Sequence, residues 1–433
     1  MTAIIGVLNK SAVAIAADSA VSVGSGRKQK VYNYANKIFN LNPGKPIAIM
    51  VFNNADLLGI PWETVIKEYR ESVASCRTVD LYKKKFLKYL ITFLKKYADF
   101  DEKQTIQEIT VHALQIIEDD LKRLEDYENG IDWKSLNIDQ TLELYKDSLI
   151  GILKNHIGML KKSEYLDGFD NSDIQKLSEE HKNQISTIAN SFLEIYSLEK
   201  NKQILKLIHE LVMQSCVKDV FIESWTGLAF SGFGDEEIFP AMHSSKVGGM
   251  LNGKLRMKQD ESSSIIDNDN NSAIIPFAQT DIIQTFIEGI DPFVKHSIPA
   301  MFYHSLEEFR DAVLEGIDKS NDSEKSMEKA LNRSIKEVVN YLVEELEDLR
   351  YENHIGPMLN TIATLSKEDM AEMAESLINL TYLKRRVTFD QESVGGPVDV
   401  AVITKGDGFI WIKRKHYFKP ELNLQYLSQK KLS

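Results

Sequence analysis

Strand-like and helix-like textures alternate along this chain, and that alternation restricts what it can fold into. Residues 2–53 read as β structure. Ile4-Ile5-Gly6-Val7-Leu8 and Ala12-Val13-Ala14-Ile15-Ala16 are short apolar runs separated by the turn-forming Asn9-Lys10-Ser11. Neither run alternates cleanly between apolar and polar, which predicts strands buried on both faces. Val21-Ser22-Val23, a Gly24-Ser25-Gly26 turn and Ile38-Phe39-Asn40-Leu41 predict a second hairpin, and Pro46 to Val51 a further strand.

From about 58 to 221 the spacing becomes helical. Tyr82, Phe86, Tyr89, Leu90, Phe93, Leu94 and Tyr97 recur at helical intervals, as do Ile106, Ile109, Ala113, Leu114, Ile117, Leu121 and Leu124. The charges between them read as solvated helix faces. Strand signals return at Gly227 to Ser231, Ile238 to Met242 and Lys246 to Met250. The Ser/Asp/Asn-rich tract from Gln259 to Ser272 predicts a loop. A short helix over 280–290 follows, then a helical block to about 365 and a helix from Ser366 to Arg386, opened by a Ser366/Asp369 capping pair. The chain ends in a hairpin, Pro397 to Thr404 and Phe409 to Lys413, turned by Lys405-Gly406-Asp407-Gly408. The opening strands have no other partners close in sequence, so one β framework interrupted by two helical insertions accounts for this order better than separate β and α domains. The expected division is 1–75 and 205–290 as core, 366–433 as its C-terminal helix and hairpin, and helical insertions over 76–204 and 291–365.

With 433 residues, 43% of them apolar and 27% charged, the chain can bury a sizeable core. A net charge of −12 argues against a nucleic-acid partner. Cys76 and Cys216 provide neither a disulfide framework nor a zinc site, which fits a reducing cytoplasm. The apolar start from Ile4 to Ala17 has no basic region before it and is broken by Asn9-Lys10-Ser11, unlike a secretory signal. No run reaches the roughly 18 apolar residues of a membrane span. A soluble cytoplasmic protein without a membrane partner is therefore expected. The histidines show no metal-ligand spacing; His243 and His416 read as ordinary strand residues. Gly248-Gly249 and Gly253 do not open a strand–helix phosphate loop, so neither metal nor cofactor is expected. Lys413-Arg414-Lys415 reads as a charged guard on an edge strand.

Thr2, Asp18, Lys37, Asp390 and Ser393 each have an ordinary structural reading when taken singly. In this order, and with the motifs around them, they resemble the proteasome β-subunit family, including its bacterial relatives. The resemblance begins with Thr2-Ala3-Ile4-Ile5-Gly6-Val7 and continues through Ala16-Ala17-Asp18-Ser19, at the family's interval from the mature threonine. Asn36-Lys37-Ile38-Phe39 resembles its Lys-Ile motif, and Asn53-Asn54-Ala55-Asp56 stands where a strand passes into the first long helix. Asp390-Gln391-Glu392-Ser393 and Gly395-Gly396-Pro397-Val398-Asp399-Val400 look like its Asp-x-x-Ser-Gly segment and the hairpin after it, with one extra residue, Val394. The resemblance covers roughly 1–75, 205–290 and 366–420, and leaves the helical insertions out.

The resemblance implies an α+β fold, the four-layer αββα sandwich of N-terminal-nucleophile hydrolases with large all-helical insertions. It also implies a threonine-type peptidase or amide hydrolase that works through an acyl-enzyme. The chemistry suits the residues. A threonine hydroxyl needs a base beside it, and a free α-amino group, with a pKa of about 7.7–8.0, is matched to neutral pH. The nucleophile would thus be Thr2 after loss of Met1. By resemblance Lys37 would lower the pKa of the Thr2 hydroxyl, Asp18 would hold Lys37, and Asp390 with Ser393 would orient the amine. A backbone N–H at Phe52 or Asn53 would meet the oxyanion, although the family's glycine is absent there. Ala278-Gln279-Thr280-Asp281 stands where the family has Gly-Ser-Gly, leaving Thr280 as a substitute hydroxyl or a plain helix cap. A polypeptide or peptide substrate, a homo-oligomer and an ATP-driven unfoldase are the partners implied. A non-catalytic scaffold, or a hydrolase of a small amide, are the alternatives. The first test needs only the untagged protein: its intact mass is expected to fall short of the full translation by one methionine residue, and a retained Met1 would block the amine.

Overall fold

A computed structural model describes residues 3–23, 30–97, 102–126, 137–199, 201–315, 323–388, 395–416 and 422–423. Thr2, Asp390 and Ser393 lie outside the described residues. The elements run β1 (Ile4–Asn9), β2 (Ala12–Ala17), β3 (Val21–Val23), β4 (Lys30–Tyr32), β5 (Ile38–Asn40), β6 (Ile47–Phe52), β7 (Asp56–Leu57) and β8 (Ile60–Pro61). Helices α1 (Trp62–Ser72), α2 (Val79–Tyr97), α3 (Glu102–Asp126), α4 (Ile138–Lys162), α5 (Asn171–Glu194) and α6 (Lys202–Val217) come next. Then follow β9 (Thr226–Gly232), β10 (Ala241–Leu251), β11 (Lys254–Ile265) and β12 (Ser272–Phe277). The remainder is α7 (Asp281–Glu288), α8 (Pro292–Glu315), α9 (Ser323–Arg350), a π-helical turn (Tyr351–Ile355), α10 (Gly356–Ile362), α11 (Lys367–Val387), β13 (Asp399–Thr404) and β14 (Gly408–Lys413). This is a mixed α/β protein. No described helix is long and apolar enough to cross a membrane.

The chain forms two compact units, one from Met1–Ala48, Ser231–Ala241 and Ser264–Ser433, the other from Ile49–Phe230 and Met242–Ser263. In the first unit, strands from the start, middle and end of the chain share one sheet in the order β12-β1-β2-β13-β14. Its pairings are antiparallel, with Ile4 opposite both Phe277 and Ala17, and Asp399 opposite Ala17. All of β1 and β2 is buried, as their unalternating apolar runs predict, and β13 is buried as well. One face carries Ile5, Val7, Ala12, Ala14, Ala16, Val400 and Val402 against Met370, Ala371, Ala374, Leu377 and Ile378 of α11. Those helix positions recur every three or four residues, the stripe an amphipathic helix needs. The alternation of alanine with larger residues in β2 leaves the small side chains under the helix, while Val13 and Ile15 occupy the other buried face.

Asn9 closes the β1–β2 turn from inside. Its Oδ1 accepts from the backbone N–H of Ser11 and of Ala12, at 2.9 and 3.2 Å, while Nδ2 donates to the carbonyls of Ile362 and Leu365 at 3.1 Å each. One buried amide thus ties the hairpin to the carbonyls of Ile362, at the end of α10, and Leu365, shortly after it. Ser366 caps α11 by accepting from Asp369 N at 3.2 Å. At the far end of the unit, Arg350 donates to the carboxylate and the carbonyl of Glu288, at 2.8 and 3.1 Å, tying α9 to the last turn of α7.

In the second unit α3, α4, α5 and α6 share one core. Ile106, Ile109, Ile117 and Leu121 meet Leu149, Leu153, Leu177, Ile185, Ile208 and Leu211. Leu124, expected on the apolar face of α3, is exposed. Asn137, Asp170 and Asn201 accept from the first-turn N–H groups of α4, α5 and α6, the caps those helices need. On α1 and α2, Tyr69 stacks edge-on against Phe86 at 5.0 Å. Trp62 Nε1 donates to Thr226 Oγ1 at 2.9 Å, joining α1 to β9.

A second five-stranded sheet has the order β11-β10-β9-β6-β5. Several local expectations are corrected here. β3 pairs with β4 and not with the strand at Ile38, because residues 30–32 supply a nearer antiparallel partner. Ile238 and Phe239 precede β10, which begins at Ala241 after Pro240; proline cannot donate to a ladder. The tract read as a loop from Gln259 to Ser272 is strand up to Ile265 and turns only afterwards, where Asp267 Oδ1 accepts from Asp269 N and Asn270 N at 2.8 and 2.7 Å. Polar composition misled there because a strand's backbone ladder does not depend on apolar side chains.

The second unit also buries Arg256 completely. It donates to the carbonyls of Ser215, Cys216 and Val220 at 2.9, 2.8 and 2.7 Å, closing the end of α6, and forms an ion pair with buried Glu223. Desolvation lowers the Arg256 pKa to about 10. Arg256→Met strands three carbonyls and a carboxylate in a dry interior. A loss of about 3–5 kcal/mol is expected, to be read from the urea midpoint at unchanged slope.

Candidate functional site

Asp18 follows β2 directly, and Lys37 precedes β5. The structure brings the two together: Lys37 Nζ stands 2.7 Å from Asp18 Oδ1, with side chains 5% and 1% exposed. Lys37 also donates to the Ala20 carbonyl at 2.6 Å, so two of its three N–H groups meet described acceptors. Asp18 is saturated. Oδ1 accepts from Ala3 N at 2.9 Å as well as from Lys37, and Oδ2 accepts from Ala20 N at 3.1 Å and Gly395 N at 3.2 Å. Asp18 N donates back to the Ala3 carbonyl at 3.1 Å.

One carboxylate oxygen therefore holds both the Lys37 ammonium and the amide of residue 3, the first described residue of the chain. The segment after Gly395 completes the clamp: Ser19 N donates to the Gly395 carbonyl at 3.1 Å and Ser19 Oγ to the Pro397 carbonyl at 2.5 Å. Burial pushes the Lys37 pKa below its ordinary value of 10.5. The charge and hydrogen bond of Asp18 oppose that shift, Lys415 adds to it, and Asp399 opposes it. A lysine so placed gives up its proton more readily than one in water.

Lys415 and Asp399 form a second buried ion pair, with side chains 6% and 4% exposed, and Lys415 N donates to Asp399 Oδ1 at 2.8 Å. This corrects the edge-guard reading of Lys413-Arg414-Lys415. Lys413 does pair outward with Glu375, and Arg414 lies over the Trp411 ring at 4.7 Å, but Lys415 turns inward. The sequence held a cue: Asp399 interrupts an apolar run, and a carboxylate within a buried strand needs a cation.

Asn53, in the second unit, stands where the resemblance puts the family's oxyanion glycine. Its φ is 73°, the left-handed region that glycine enters freely and asparagine with least penalty among other residues. Its Nδ2 donates to the Trp225 carbonyl at 2.9 Å, holding that conformation. Phe52 is buried, lying over Gly227, where an added Cβ would come within 2.0 Å of the ring. Ala278 and Gln279, in the segment that stands where the family has Gly-Ser-Gly, also have positive φ, 53° and 47°. Arg385 supports that segment by donating to Gln279 Oε1 at 3.1 Å and Asp281 Oδ1 at 2.8 Å. Thr280 caps α7 only by position, since its side chain makes no capping hydrogen bond.

Cys76 and Cys216 are free and buried, and burial pushes the Cys216 thiol up to about 12. His181 Nε2 lies 2.8 Å from Glu102 Oε1, and the two form, with Glu180, a set whose ligand atoms lie within 4.8 Å of one another. Glu102 Oε2 also accepts from Asn252 N at 2.5 Å, so this carboxylate already serves to fix the turn after β10.

The Asp18–Lys37 pair sets a clear energetic test. Asp18→Asn leaves a buried ammonium without its anion, and about 3–5 kcal/mol of stability should be lost at pH 7. Adding Lys37→Met to that variant should recover most of the loss, a coupling that a double-mutant cycle in urea measures. The linkage has a definite sign. The folded pKa of Lys37 lies below the unfolded one, so its contribution is full above the unfolded value and is lost as pH falls through the folded value.

Neither a family model nor a curated protein matches the sequence. Among solved structures, a Gly-1 mutant of Anbu from Hyphomicrobium sp. strain MC1 is similar over 100% of this chain and 95% of that one, at 9% identity and a TM-score of 0.26. A score that low does not establish a shared fold.

Proposed function

We propose that this protein is an N-terminal-nucleophile amide hydrolase of the proteasome β-subunit type, built as a four-layer αββα sandwich, in which Thr2 attacks after removal of Met1. One observation carries the reading: Asp18 Oδ1 accepts from both Lys37 Nζ and Ala3 N. A single peptide bond separates Ala3 from Thr2. The residue next to the proposed nucleophile and a buried lysine are thereby held by the same carboxylate, which supports the reading.

In this mechanism the free α-amine accepts the proton of the Thr2 hydroxyl as its oxygen adds to a substrate carbonyl. In this reading the Lys37 ammonium lowers the hydroxyl's pKa by its positive charge. Asp18 holds Lys37 in place and balances its charge. The lowered Lys37 pKa supports a further role, because the group can pass a proton as well as present a charge. The tetrahedral adduct then collapses to an ester on Thr2, the leaving amine departs protonated, and water hydrolyses the ester. Asp390 and Ser393 orient the amine in the same reading.

Fluorogenic peptide hydrolysis by the purified full chain tests this. Thr2→Ala and Lys37→Ala are each expected to lower kcat/KM by at least about a thousandfold. Thr2→Ser should retain measurable turnover. Lys37→Arg keeps the charge but, with a pKa above about 12, cannot exchange a proton; it should be as inactive as the alanine variant. The rate should fall on the acid side of the profile as the α-amine, the base of the mechanism, becomes protonated. Undiminished hydrolysis by Thr2→Ala would sink the reading.

A further inference from the structure

The second unit contains a polar cavity of about 280 Å³ that the Thr2 chemistry does not use. Asp56, Glu108 and Glu223 line it together with Thr105 and Ser224, and among the described residues no Lys, Arg or His does. Its floor is bare strand. A Cβ on Gly248 would come within 2.5 Å of Glu223 Oε1, and one on Gly249 within 2.4 Å of Thr105 Oγ1. The paired glycines of β10 let a carboxylate and a hydroxyl lie directly over the backbone, where any larger residue would displace them.

Glu223 is the telling group. Its side chain is 1% exposed. Arg256 forms an ion pair through Oε1, and neither Oε1 nor Oε2 accepts a hydrogen bond among the described residues. A buried carboxylate oxygen left unsatisfied costs free energy unless a donor reaches it. We infer that this cavity binds an ammonium or guanidinium group, whose N–H donors reach Glu223 Oε2 and whose charge is met by Asp56 and Glu108.

A divalent metal is the less suitable occupant. Among the described residues, the ligand atoms that converge within 4.8 Å belong to Glu102, Glu180 and His181, none of which lines this cavity. Carboxylates spread around a space of side-chain size suit an extended organic cation with several donors. The inference is independent of the hydrolase reading, because Thr2→Ala leaves every residue named here intact.

Calorimetric titration of the full chain with free L-arginine and with a short peptide carrying an internal arginine provides the test. Each is compared with its citrulline counterpart, which has the same shape without the charge. Saturable binding is expected for the arginine forms, with the citrulline forms weaker by at least about tenfold. Glu108→Gln and Asp56→Asn, both at partly exposed positions, should each weaken arginine binding by about tenfold while leaving the melting temperature near that of the parent. Binding of both ligands points to a small metabolite, and binding of the peptide alone to a basic side chain of a polypeptide. Equal binding of arginine and citrulline, no binding of either, insensitivity to both substitutions, or saturation by Mn²⁺ with none by arginine would overturn the proposal.

Discussion

A carboxylate sealed from water must find a donor for each oxygen, and in the first unit Asp18 meets that demand by drawing four parts of the chain to one point. Its oxygens collect the amides of Ala3, Ala20 and Gly395 and the ammonium of Lys37. The chain start, the end of β2, the approach to β5 and the approach to β13 are thereby fixed by one side chain. Residues far apart in sequence come together because each supplies a donor to an anion that water cannot reach.

The second unit solves a related problem with the opposite charge. Arg256 is a buried guanidinium, and it spends its donors on the end of α6, the Val220 carbonyl and Glu223. The helix end gains satisfied carbonyls, and the charge gains a partner. Such pairs contribute little net stability relative to apolar packing, but breaking one side is costly. They therefore specify which arrangement is adopted more than they deepen it. The same holds for Asp399 and Lys415 beside the Asp18–Lys37 pair.

Much of the local structure was legible. The apolar runs of β1 and β2 announced strands covered on both faces, because no polar alternation is needed when neither face meets water. Helical spacing in α2 and α3 announced most of their buried stripes, and Ser366 announced the cap of α11. Asp18 and Lys37 were identified as partners through resemblance, and the structure brings them into contact. Other features were hidden. The strand continuing to Ile265 looks like a loop in composition, and Lys415 looks like a solvated edge charge until Asp399 is seen beside it.

The sequence by itself determined which stretches are strand-like and helix-like in most of the chain, where α7 and α11 begin, and which residue types are available for amide chemistry at its start. These follow from local spacing and side-chain size, which act over a few residues and need no knowledge of distant neighbours. Tertiary structure alone decided that Arg256 is buried with Glu223 and Lys415 with Asp399. It also decided that Asn53, Ala278 and Gln279 adopt left-handed backbone without glycine, and that Gly248 and Gly249 lie open beneath Glu223 and Thr105. The physical reason is that desolvation and close approach depend on atoms remote in sequence, and their outcome is set only when those atoms arrive.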